Sequence, residues 1–208
     1  MTQEFEMPPV EEPFRGYNRM CSLVGPRYAR CWFDNYKVGN DEAAEYRESA
    51  LEDAVEYARR LKVNKGSGEN LLLIGSCGTG KDHLAVAVSR AALSFGMNVK
   101  YMRGSVLCRH CVEHNKEHGT DVPYETLNVD LLVISDIEPN ANKASDFEER
   151  ALMTLIDYRY TQMLPTVVTS NSRTLDDLAE IIGERIVSRL NHFCALVPMI
   201  WDDYRSQQ

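Results

Sequence analysis

The chain has 208 residues, of which 44% are hydrophobic and 26% are charged, the proportions of an ordinary globular protein. The acidic start MTQEFEMPPVEEPFRG lacks the basic and apolar parts of a signal peptide, and no run is apolar for long enough to cross a bilayer. We therefore expect a cytoplasmic protein with no membrane partner. The formal net charge of −8 argues against coating of nucleic acid by bulk charge. Any DNA contact must come from a local cluster of Arg and Lys, or from a ring of subunits that concentrates such clusters.

The N-terminal segment differs in composition from the rest of the chain. Residues 1–27 contain prolines, acids and scattered aromatic residues without helical or strand periodicity, and we expect a flexible arm there. Residues 28–208 are predicted to form the folded domain. It starts with an amphipathic helix over residues 41–61, where Ala and Leu recur at helical spacing, and the KGSG sequence at 65–68 predicts a turn.

After this helix, short apolar runs alternate with longer helical patterns. We predict strands over residues 70–74, 99–102, 129–134, 166–169 and 195–200. The predicted helices cover residues 81–95, 105–117, 146–163, 175–182 and 184–190. Strands that alternate with helices indicate an α/β fold, in which a parallel sheet is covered by helices on both faces.

The most informative stretch is GSCGTGK at residues 75–81, between a predicted buried strand and a predicted helix. Glycines let the backbone curl with its N–H groups pointing inward, and the start of the helix adds positive potential, so such a loop can cradle phosphate. Lys81 can reach the terminal phosphates as a point charge. A glycine-rich turn with a chance lysine is the alternative, but the flanking strand and helix stand where a P-loop requires them. We predict ATP binding by Gly75, Ser76, Cys77, Gly78, Thr79, Gly80, Lys81 and Asp82.

Two positions depart from the usual P-loop pattern. Asp82 follows Lys81 where a Ser or Thr hydroxyl normally contacts Mg²⁺, and Ser135 follows the third strand where an acid normally does. One hypothesis is that Asp82 and Ser135 have exchanged roles around Mg²⁺, while the neighbouring Asp136 also holds the metal and polarises the attacking water. The other hypothesis is decay, in which the protein binds nucleotide but hydrolyses it poorly. The sequence leaves both open.

Several segments occur together in an order and spacing that resemble one family. They are GSCGTGKDHLA at 75–85, VDLLVISDIE at 129–138, VVTSN at 167–171, GERIVSRL at 183–190 and WDDYR at 201–205. This combination resembles the AAA+ ATPase domain of the DnaC/DnaI-type bacterial helicase loaders, and the related IstB-type transposition ATPases share much of it. The likeness covers roughly residues 25–205. It implies a P-loop NTPase domain of the AAA+ (RecA-like) class, with a parallel sheet flanked by helices and no separate C-terminal lid domain.

The resemblance also implies catalytic roles in the second half of the chain. Asn171 matches the first sensor position, where its amide would orient water against the γ-phosphate; alternatively, Asn171 starts a turn. Arg189 best matches the arginine finger that reaches the ATP of a neighbouring subunit, and Arg185 lies four residues earlier on the same helical face. A solvated basic face is the alternative, and it suits Arg185 better than Arg189. Arg205 matches a C-terminal arginine of the family, and its role stays open.

The family's DNA-facing insertion corresponds to residues 104–128. Side chains suited to a single-stranded DNA backbone or to base stacking are Arg103, Arg109, His110, Lys116, Tyr101 and Tyr124. Acidic residues lie among them, so half of this helix could be an ordinary solvated face.

Cysteines and histidines crowd the same stretch, at Cys108, His110, Cys111, His114 and His118. We do not predict a zinc site, because zinc ligands usually come in pairs from two separate elements and no second Cys/His pair occurs elsewhere in the sequence. The two cysteines are expected in the core and the histidines at the surface. Cys77 could make nucleotide binding sensitive to oxidation, although a plain small-residue role is favoured.

Three functional hypotheses follow. The first is an ATP-dependent loader of a replicative DNA helicase, which assembles on single-stranded DNA and self-associates through an arginine finger. The second is an IstB-type transposition ATPase that assembles on duplex DNA, and the third is a nucleotide-binding adaptor with weak hydrolysis. The short segment before the ATPase domain weakens the first, because loaders of this family typically carry a separate helicase-binding region there. The arm could still dock as a peptide through Phe5, Phe14 and Tyr17.

Overall fold

The structure is a computed structural model that describes residues 13–64, 67–139 and 143–203, with side chains described from residue 18 onward. The helices are α1 (Pro13–Val24), α2 (Ala44–Val63), α3 (Lys81–Ser94), α4 (Gly104–His118), α5 (Tyr124–Leu127), α6 (Asp146–Thr161), α7 (Leu175–Ile182) and α8 (Glu184–His192). The strands are β1 (Asn70–Ile74), β2 (Val99–Arg103), β3 (Leu131–Ser135), β4 (Thr166–Ser170) and β5 (Cys194–Pro198).

All five strands form one parallel sheet, in the order β2-β3-β4-β1-β5. Every residue of β1, β3 and β4 is buried, as expected for central strands that helices cover on both faces. The predicted α/β fold with a parallel sheet flanked by helices is therefore confirmed. In this order the carboxyl ends of β1, β3 and β4 lie side by side at one edge, which is where open parallel sheets place their ligand sites.

Successive side chains of the central strands enter two different apolar layers, because side chains alternate across a strand. Leu71 and Leu73 of β1 join a cluster with residues of α2 and α3 on one face of the sheet. Leu72 and Ile74 join a second cluster with residues of α4, α6, α7 and α8 on the other face. The two layers hold β1 from both sides and so fix the strand that leads into the GSCGTGK loop.

The prediction of a flexible arm over residues 1–27 is wrong for its second half, because residues 13–24 form α1. Met20 is only 1% exposed and packs with Ala29 and with Val86 of α3. A short helix with one apolar face gains its stability from such tertiary packing, and the prolines and acids of the segment hid that periodicity. Residues 1–12 lie outside the described part of the chain, and so does the Phe5 anchor; the side chains of Phe14 and Tyr17 are likewise not described.

Every predicted strand and helix is found within three residues of its expected bounds. The sequence missed α5, whose four residues are too short to show a helical period. Among the described residues, no helix combines the length and the apolar character that a membrane span requires.

Candidate functional site

The loop between β1 and α3 has the backbone of a phosphate cradle. Gly75, Gly78 and Gly80 have positive φ angles of 140°, 76° and 97°, which side chains with a Cβ rarely adopt. These three angles turn the chain from the end of β1 into the first turn of α3. The early N–H groups of α3 have no partners within the helix, so the loop presents donors and the positive end of the helix dipole together.

Lys81 lies inside this loop. Its Nζ donates hydrogen bonds to the carbonyl oxygen of Gly75 at 2.8 Å and to that of Ser76 at 2.7 Å. The residue is 5% exposed, and burial lowers the pKa of its ammonium group. These two acceptors are neutral, and phosphate oxygens would make stronger, charge-assisted bonds with the ammonium group.

Two aromatic residues hold the loop from outside. Tyr36 Oη and Trp201 Nε1 both donate to the carbonyl oxygen of Thr79, at 3.3 Å and 3.1 Å. Thr79 Oγ1 in turn donates to the carbonyl oxygen of Ser76 at 3.0 Å. Sequence reasoning missed these contacts because Tyr36 and Trp201 lie 43 and 122 residues from Thr79 along the chain.

The segment after β5, at residues 199–203, also lies against the loop. A Cβ added to Gly78 would lie 1.7 Å from Asp203 Oδ1, and one added to Gly75 would lie 2.0 Å from the carbonyl oxygen of Met199. Gly75 therefore requires glycine for steric reasons in addition to its φ angle, because it meets backbone, whereas a Cβ at Gly78 would require the Asp203 side chain to move. Arg205 and Tyr204 lie outside the described residues.

Asp82, in the first turn of α3, is joined to the end of β4. Its Oδ1 accepts a hydrogen bond from Thr169 Oγ1 at 3.1 Å, and Thr169 Oγ1 accepts one from the backbone N–H of Asp136 at 2.9 Å. Burial raises the pKa of Asp82, and the nearby charge of Asp136 raises it further. Two carboxylates thus converge beside Lys81, and a cation between them would relieve their repulsion.

Ser135 ends β3 and is 1% exposed. Its side chain is hydrogen-bonded to that of Tyr101, whose pKa is raised by burial and then by the charge of Asp82. Tyr101 packs against two of the apolar clusters. The interpretation of Tyr101 as a stacking surface for DNA is therefore wrong, because its ring lies between the core and the site.

Asp136 and Asn171 lie in direct contact. Asn171 Nδ2 donates to Asp136 Oδ1 at 3.1 Å, and Cys77 Sγ lies 3.4 Å from Asn171 Oδ1. Asp136 has a positive φ of 45°, a costly conformation for a residue other than glycine and one that clusters at functional sites. The fold thus brings three residues together: Cys77 of the phosphate loop, Asp136 after β3 and Asn171 after β4.

Glu138 is a site residue that sequence reasoning missed. Its Oε1 accepts from the backbone N–H of Asn171 at 2.7 Å and from that of Ser172 at 3.1 Å. The hydroxyl groups of Ser170 and Ser172 donate to the same oxygen. The signal in the sequence was the second acid two residues after Asp136, beyond the end of the strand.

An open cleft of about 1000 Å³ runs along this edge of the sheet. Its walls include residues 77–83 of the loop and of α3, together with Asp136, Asn171 and Trp201. Cationic side chains also reach it, among them those of Arg27, Arg30, Lys37 and Arg103. Arg103, considered for DNA contact from the sequence, thus lines the same cleft as the phosphate loop.

Arg185 and Arg189 are not among the described residues that line this cleft. Arg185 is exposed on α8. Arg189 Nε donates to Asp157 Oδ1, and its guanidinium group lies 5.9 Å from the centre of the Tyr160 ring. Within one molecule, both arginines lie apart from the phosphate loop.

The cysteines at 108 and 111 are buried core residues as predicted, and burial raises their pKa values to about 12 and about 11. His118 is exposed, while His110 and His114 are half-buried, so the expectation that all three lie at the surface is only partly met. The rings of His114 and His118 lie 4.6 Å apart, and His114 Nε2 is 2.8 Å from Thr120 Oγ1.

The sequence resembles curated proteins over most of its length. It is 29% identical over 197 residues to the replicative helicase loader DnaC of Escherichia coli K12, which covers 93% of this chain and 76% of that protein. It is 27% identical over 186 residues to the replicative helicase loader DnaC of Buchnera aphidicola subsp. Acyrthosiphon pisum, which covers 86% of this chain and 70% of that protein.

Solved structures agree with this likeness. The crystal structure of the DnaC helicase loader superposes with a TM-score of 0.70 at 27% identity, covering 82% of this chain and 97% of that one. The crystal structure of DnaI superposes with a TM-score of 0.66 at 19% identity, covering 89% of this chain and 98% of that one, a likeness of fold alone. The family model of IstB-like ATP binding proteins matches residues 46–208, which include the phosphate loop and the ends of β3 and β4. The chain therefore belongs to the family of IstB-like ATP binding proteins.

Proposed function

We propose that this chain is a cytoplasmic, ATP-hydrolysing loader of a replicative DNA helicase. The observation that carries the proposal is its similarity to the DnaC loader of Escherichia coli, which extends over 93% of the chain and so includes the whole nucleotide edge of the sheet. An ATP-driven loader needs a site that binds nucleotide, a group that responds to the γ-phosphate, and surfaces for DNA and for the helicase. The first two are built from residues described above.

ATP binds with its phosphates in the loop at residues 75–81. The phosphates take the place of the loop carbonyls beside Lys81 Nζ, where the buried ammonium group is hydrogen-bonded to the neutral oxygens of Gly75 and Ser76. Mg²⁺ fits beside them, because the carboxylates of Asp82 and Asp136 converge there and the Ser135 hydroxyl lies at the end of the adjacent strand. Oxygen ligands of this kind are the ones that Mg²⁺ prefers. When bound, the cation neutralises charge on the phosphates.

Hydrolysis uses Asp136 and Asn171. The Asn171 side-chain amide fixes the Asp136 carboxylate through a bond of 3.1 Å, so the acid faces the loop in one orientation. In the proposal Asp136 polarises the attacking water, and Asn171 orients it relative to the γ-phosphate. Positioning of this kind accounts for much of the catalysis of phosphoryl transfer.

Self-association completes the site. Arg189 stands on α8, away from the cleft of its own molecule, so it can stabilise the transition state only in a neighbouring subunit. Its bond to Asp157 must then exchange for a bond to phosphate. Arg185, exposed on the same face, is the second candidate for this role.

Single-stranded DNA binds along α4 and its extension. Arg109 and Lys116 are exposed there, and Tyr124 is 67% exposed and can stack on a base. The contact is local, since the net charge of the chain is −8. An Arg109→Ala/Lys116→Ala variant should bind single-stranded DNA more weakly and with a smaller salt dependence, while its ATP affinity stays that of the wild type.

The partner is tested by capture. Purified wild-type protein with ATP should retain the replicative helicase of the cell it comes from and load it onto circular single-stranded DNA coated with single-strand-binding protein. Lys81→Ala, which cannot hold the phosphates, should lose the loading step. Capture of a transposase instead of the helicase would favour the second hypothesis, which the IstB-like family match keeps in view.

The adaptor hypothesis is tested by turnover. The proposal expects hydrolysis of ATP that depends on Mg²⁺ and rises with single-stranded DNA. Tight ATP binding without turnover, with and without DNA and helicase, would favour an adaptor in which Asp82 and Ser135 mark decay of the metal site.

A further inference from the structure

Glu138 joins the ends of two neighbouring strands. It stands three residues beyond β3, and its Oε1 accepts four hydrogen bonds from the last residue of β4 and the turn that follows it. Two of the donors are backbone N–H groups, those of Asn171 at 2.7 Å and Ser172 at 3.1 Å. The side chain therefore acts as a clamp on the segment 170–172.

The same two strand ends are joined a second time through the backbone. The N–H of Ile137 donates to the carbonyl oxygen of Thr169 at 3.0 Å, and the N–H of Asp136 donates to the Thr169 hydroxyl at 2.9 Å. Glu138 thus extends the pairing of β3 with β4 beyond the ladder, to the residues that reach the cleft. The distance between Asp136 and Asn171 depends on this extension.

What the clamp positions is the side chain of Asn171. Its Nδ2 donates to Asp136 Oδ1 at 3.1 Å, and its Oδ1 faces Cys77 of the phosphate loop at 3.4 Å. Asn171 is exposed and follows the last residue of β4, so packing does not fix its backbone. The bond from its N–H to Glu138 supplies the constraint that packing does not.

We infer that Glu138 is a positioning residue for ATP hydrolysis, which holds Asn171 so that its amide reports the γ-phosphate to Asp136. The inference rests on the proposed function. Glu138 acts through Asn171 and does not itself contact nucleotide. Its carboxylate makes charge-assisted bonds, which are stronger than those a neutral acceptor would make, and so restricts the position of Asn171 more tightly.

A role in folding alone does not account for this side chain. Glu138 Oε2 is buried without a hydrogen-bond partner among the described residues, and a buried acceptor without a partner costs stability. Serines already follow β4 and can close such a turn by themselves. A side chain that lowers the stability of the fold and lies at the edge of a site is typical of a functional residue.

The first test compares turnover with binding. Glu138→Ala should lower kcat for ATP by about 10- to 100-fold, as expected when a catalytic group is displaced by about 1 Å, and should raise the Kd for ATP far less, only by the part of the affinity that comes from sensing the γ-phosphate. Glu138→Gln should recover most of the loss, because its amide oxygen can take the place of Oε1 and its NH₂ the place of the partnerless oxygen. Glu69→Ala is the matched control, since Glu69 is a 12% exposed carboxylate that accepts bonds from Arg60 before β1, away from the cleft.

The second test does not depend on turnover. The ratio of the Kd for ADP to the Kd for the non-hydrolysable analogue AMPPCP measures how far the site senses the γ-phosphate. Glu138→Ala and Asn171→Ala should each reduce this ratio, and the double variant should reduce it no further, because both changes remove one unit. Additive effects in this double-mutant cycle would contradict the inference.

The outcomes separate the two ideas. If the wild type hydrolyses ATP and Glu138→Ala retains wild-type kcat and the wild-type ratio, the positioning role is wrong and the proposed function stands. If Glu138→Ala and Glu138→Gln are equally inactive and both unfold early in urea, the side chain serves folding and the inference is wrong. If the wild type binds neither nucleotide, the proposed function fails first and takes the inference with it.

Discussion

The hydroxyl group of Thr169 donates a hydrogen bond to Asp82 Oδ1 over 3.1 Å, and so ties the first turn of α3 to the carboxyl end of β4. Thr169 is fully buried, and its oxygen also accepts the backbone N–H of Asp136. One hydroxyl therefore holds the carboxylate of Asp82 and the backbone of Asp136, the two acids that stand beside the phosphate loop. The bond from Thr169 therefore fixes the side chain of Asp82, which lines the cleft.

The exchange of metal ligands predicts how variants at 82 and 135 behave. Asp82→Ala should weaken Mg²⁺-dependent ATP binding by about tenfold or more, since a lost contact to a charged group is worth roughly 1.5–3 kcal/mol. Affinity measured in EDTA should not fall, because the carboxylate repels phosphate when no cation is present. Asp53→Ala, which removes an exposed acid of α2, is the control.

The reciprocal part of the hypothesis has its own measurement. Asp82→Ser and Ser135→Asp should each impair Mg²⁺-dependent turnover, and the double variant, which restores the usual P-loop pattern, should recover it. Recovery would show that the two positions share one metal. Wild-type turnover in Asp82→Ala, or a double variant as weak as the single ones, would instead support decay of the site.

The parts of the site that lie next to one another in sequence were predicted from the sequence. The glycine spacing in the loop and the end of each buried run located Lys81, Asp82 and Asp136, because strand ends of a parallel sheet must meet at one edge. The helix over residues 175–182 was predicted with its observed bounds, since its capping residue Thr174 and its apolar stripe both lie within the segment.

The parts that depend on long-range contacts were not predicted. Glu138 has four bonds to residues more than 30 positions away, and Trp201 contacts the loop from 122 positions away. No local pattern encodes such contacts. Tyr101 was misassigned for the same reason. Side chains alternate along β2, so the sequence allows Tyr101 on either face of the sheet, and only its packing against α1 and α3 and its bond to Ser135 show which face it occupies.

Arg189 should be needed for turnover but not for binding. Arg189→Ala should bind ATP like the wild type and lose turnover in the assembled state by about 10³-fold or more, as arginine fingers of other NTPases do. Mixing it with inactive Lys81→Ala should restore activity, because Lys81→Ala subunits bring an intact Arg189 to the ATP held by their neighbours. Steady-state hydrolysis across a range of mixing ratios measures this.

Arg185→Ala tests the second candidate for the finger, as it removes an exposed arginine from the same helix, and it should retain turnover. Asp157→Asn should raise turnover at low protein concentration. The bond from Arg189 to residue 157, which must break before Arg189 can reach phosphate, is then weaker than the bond to Asp157. If mixing restores nothing while Arg185→Ala is inactive, the finger assignment passes to Arg185.

The loop glycines allow a comparison at equal backbone strain. Gly78 and Gly96 both have φ angles of 76°, but a Cβ at Gly78 meets Asp203 whereas one at Gly96, after α3, has nothing within 4 Å. Alanine at either position should cost about 1–2 kcal/mol of stability from φ alone. Only Gly78→Ala should also reduce ATP affinity, which titration with a fluorescent ATP analogue measures. Equal ATP affinity in both variants would contradict the close contact of Asp203 with the loop.

Arg159 organises the opposite edge of the sheet. It is 1% exposed, and its guanidinium group donates to the carbonyl oxygens of Leu127, Val129 and Pro165 and to Thr166 Oγ1, at 2.6–3.0 Å. Burial lowers its pKa to about 10, yet the charge stays in place because the planar fork satisfies four acceptors at once.

Removing this arginine should therefore destabilise the sheet and leave the nucleotide site of the folded protein unchanged. Arg159→Ala should lower the free energy of unfolding in urea by about 3 kcal/mol or more, since it removes a charged donor from four acceptors, three of them in buried bonds. Arg159→Lys should recover only part of this, because a point charge cannot reach all four. Arg150→Ala is the control: Arg150 is 58% exposed in its pair with Asp121, and a surface pair is worth about 1 kcal/mol or less.

Where the Arg159 variants remain folded, ATP affinity should equal that of the wild type, because the bonds that hold Lys81, Asp82 and Asn171 lie at the other ends of the same strands. A stable Arg159→Ala protein with weakened ATP binding would show that the two edges are coupled and that this separation is wrong.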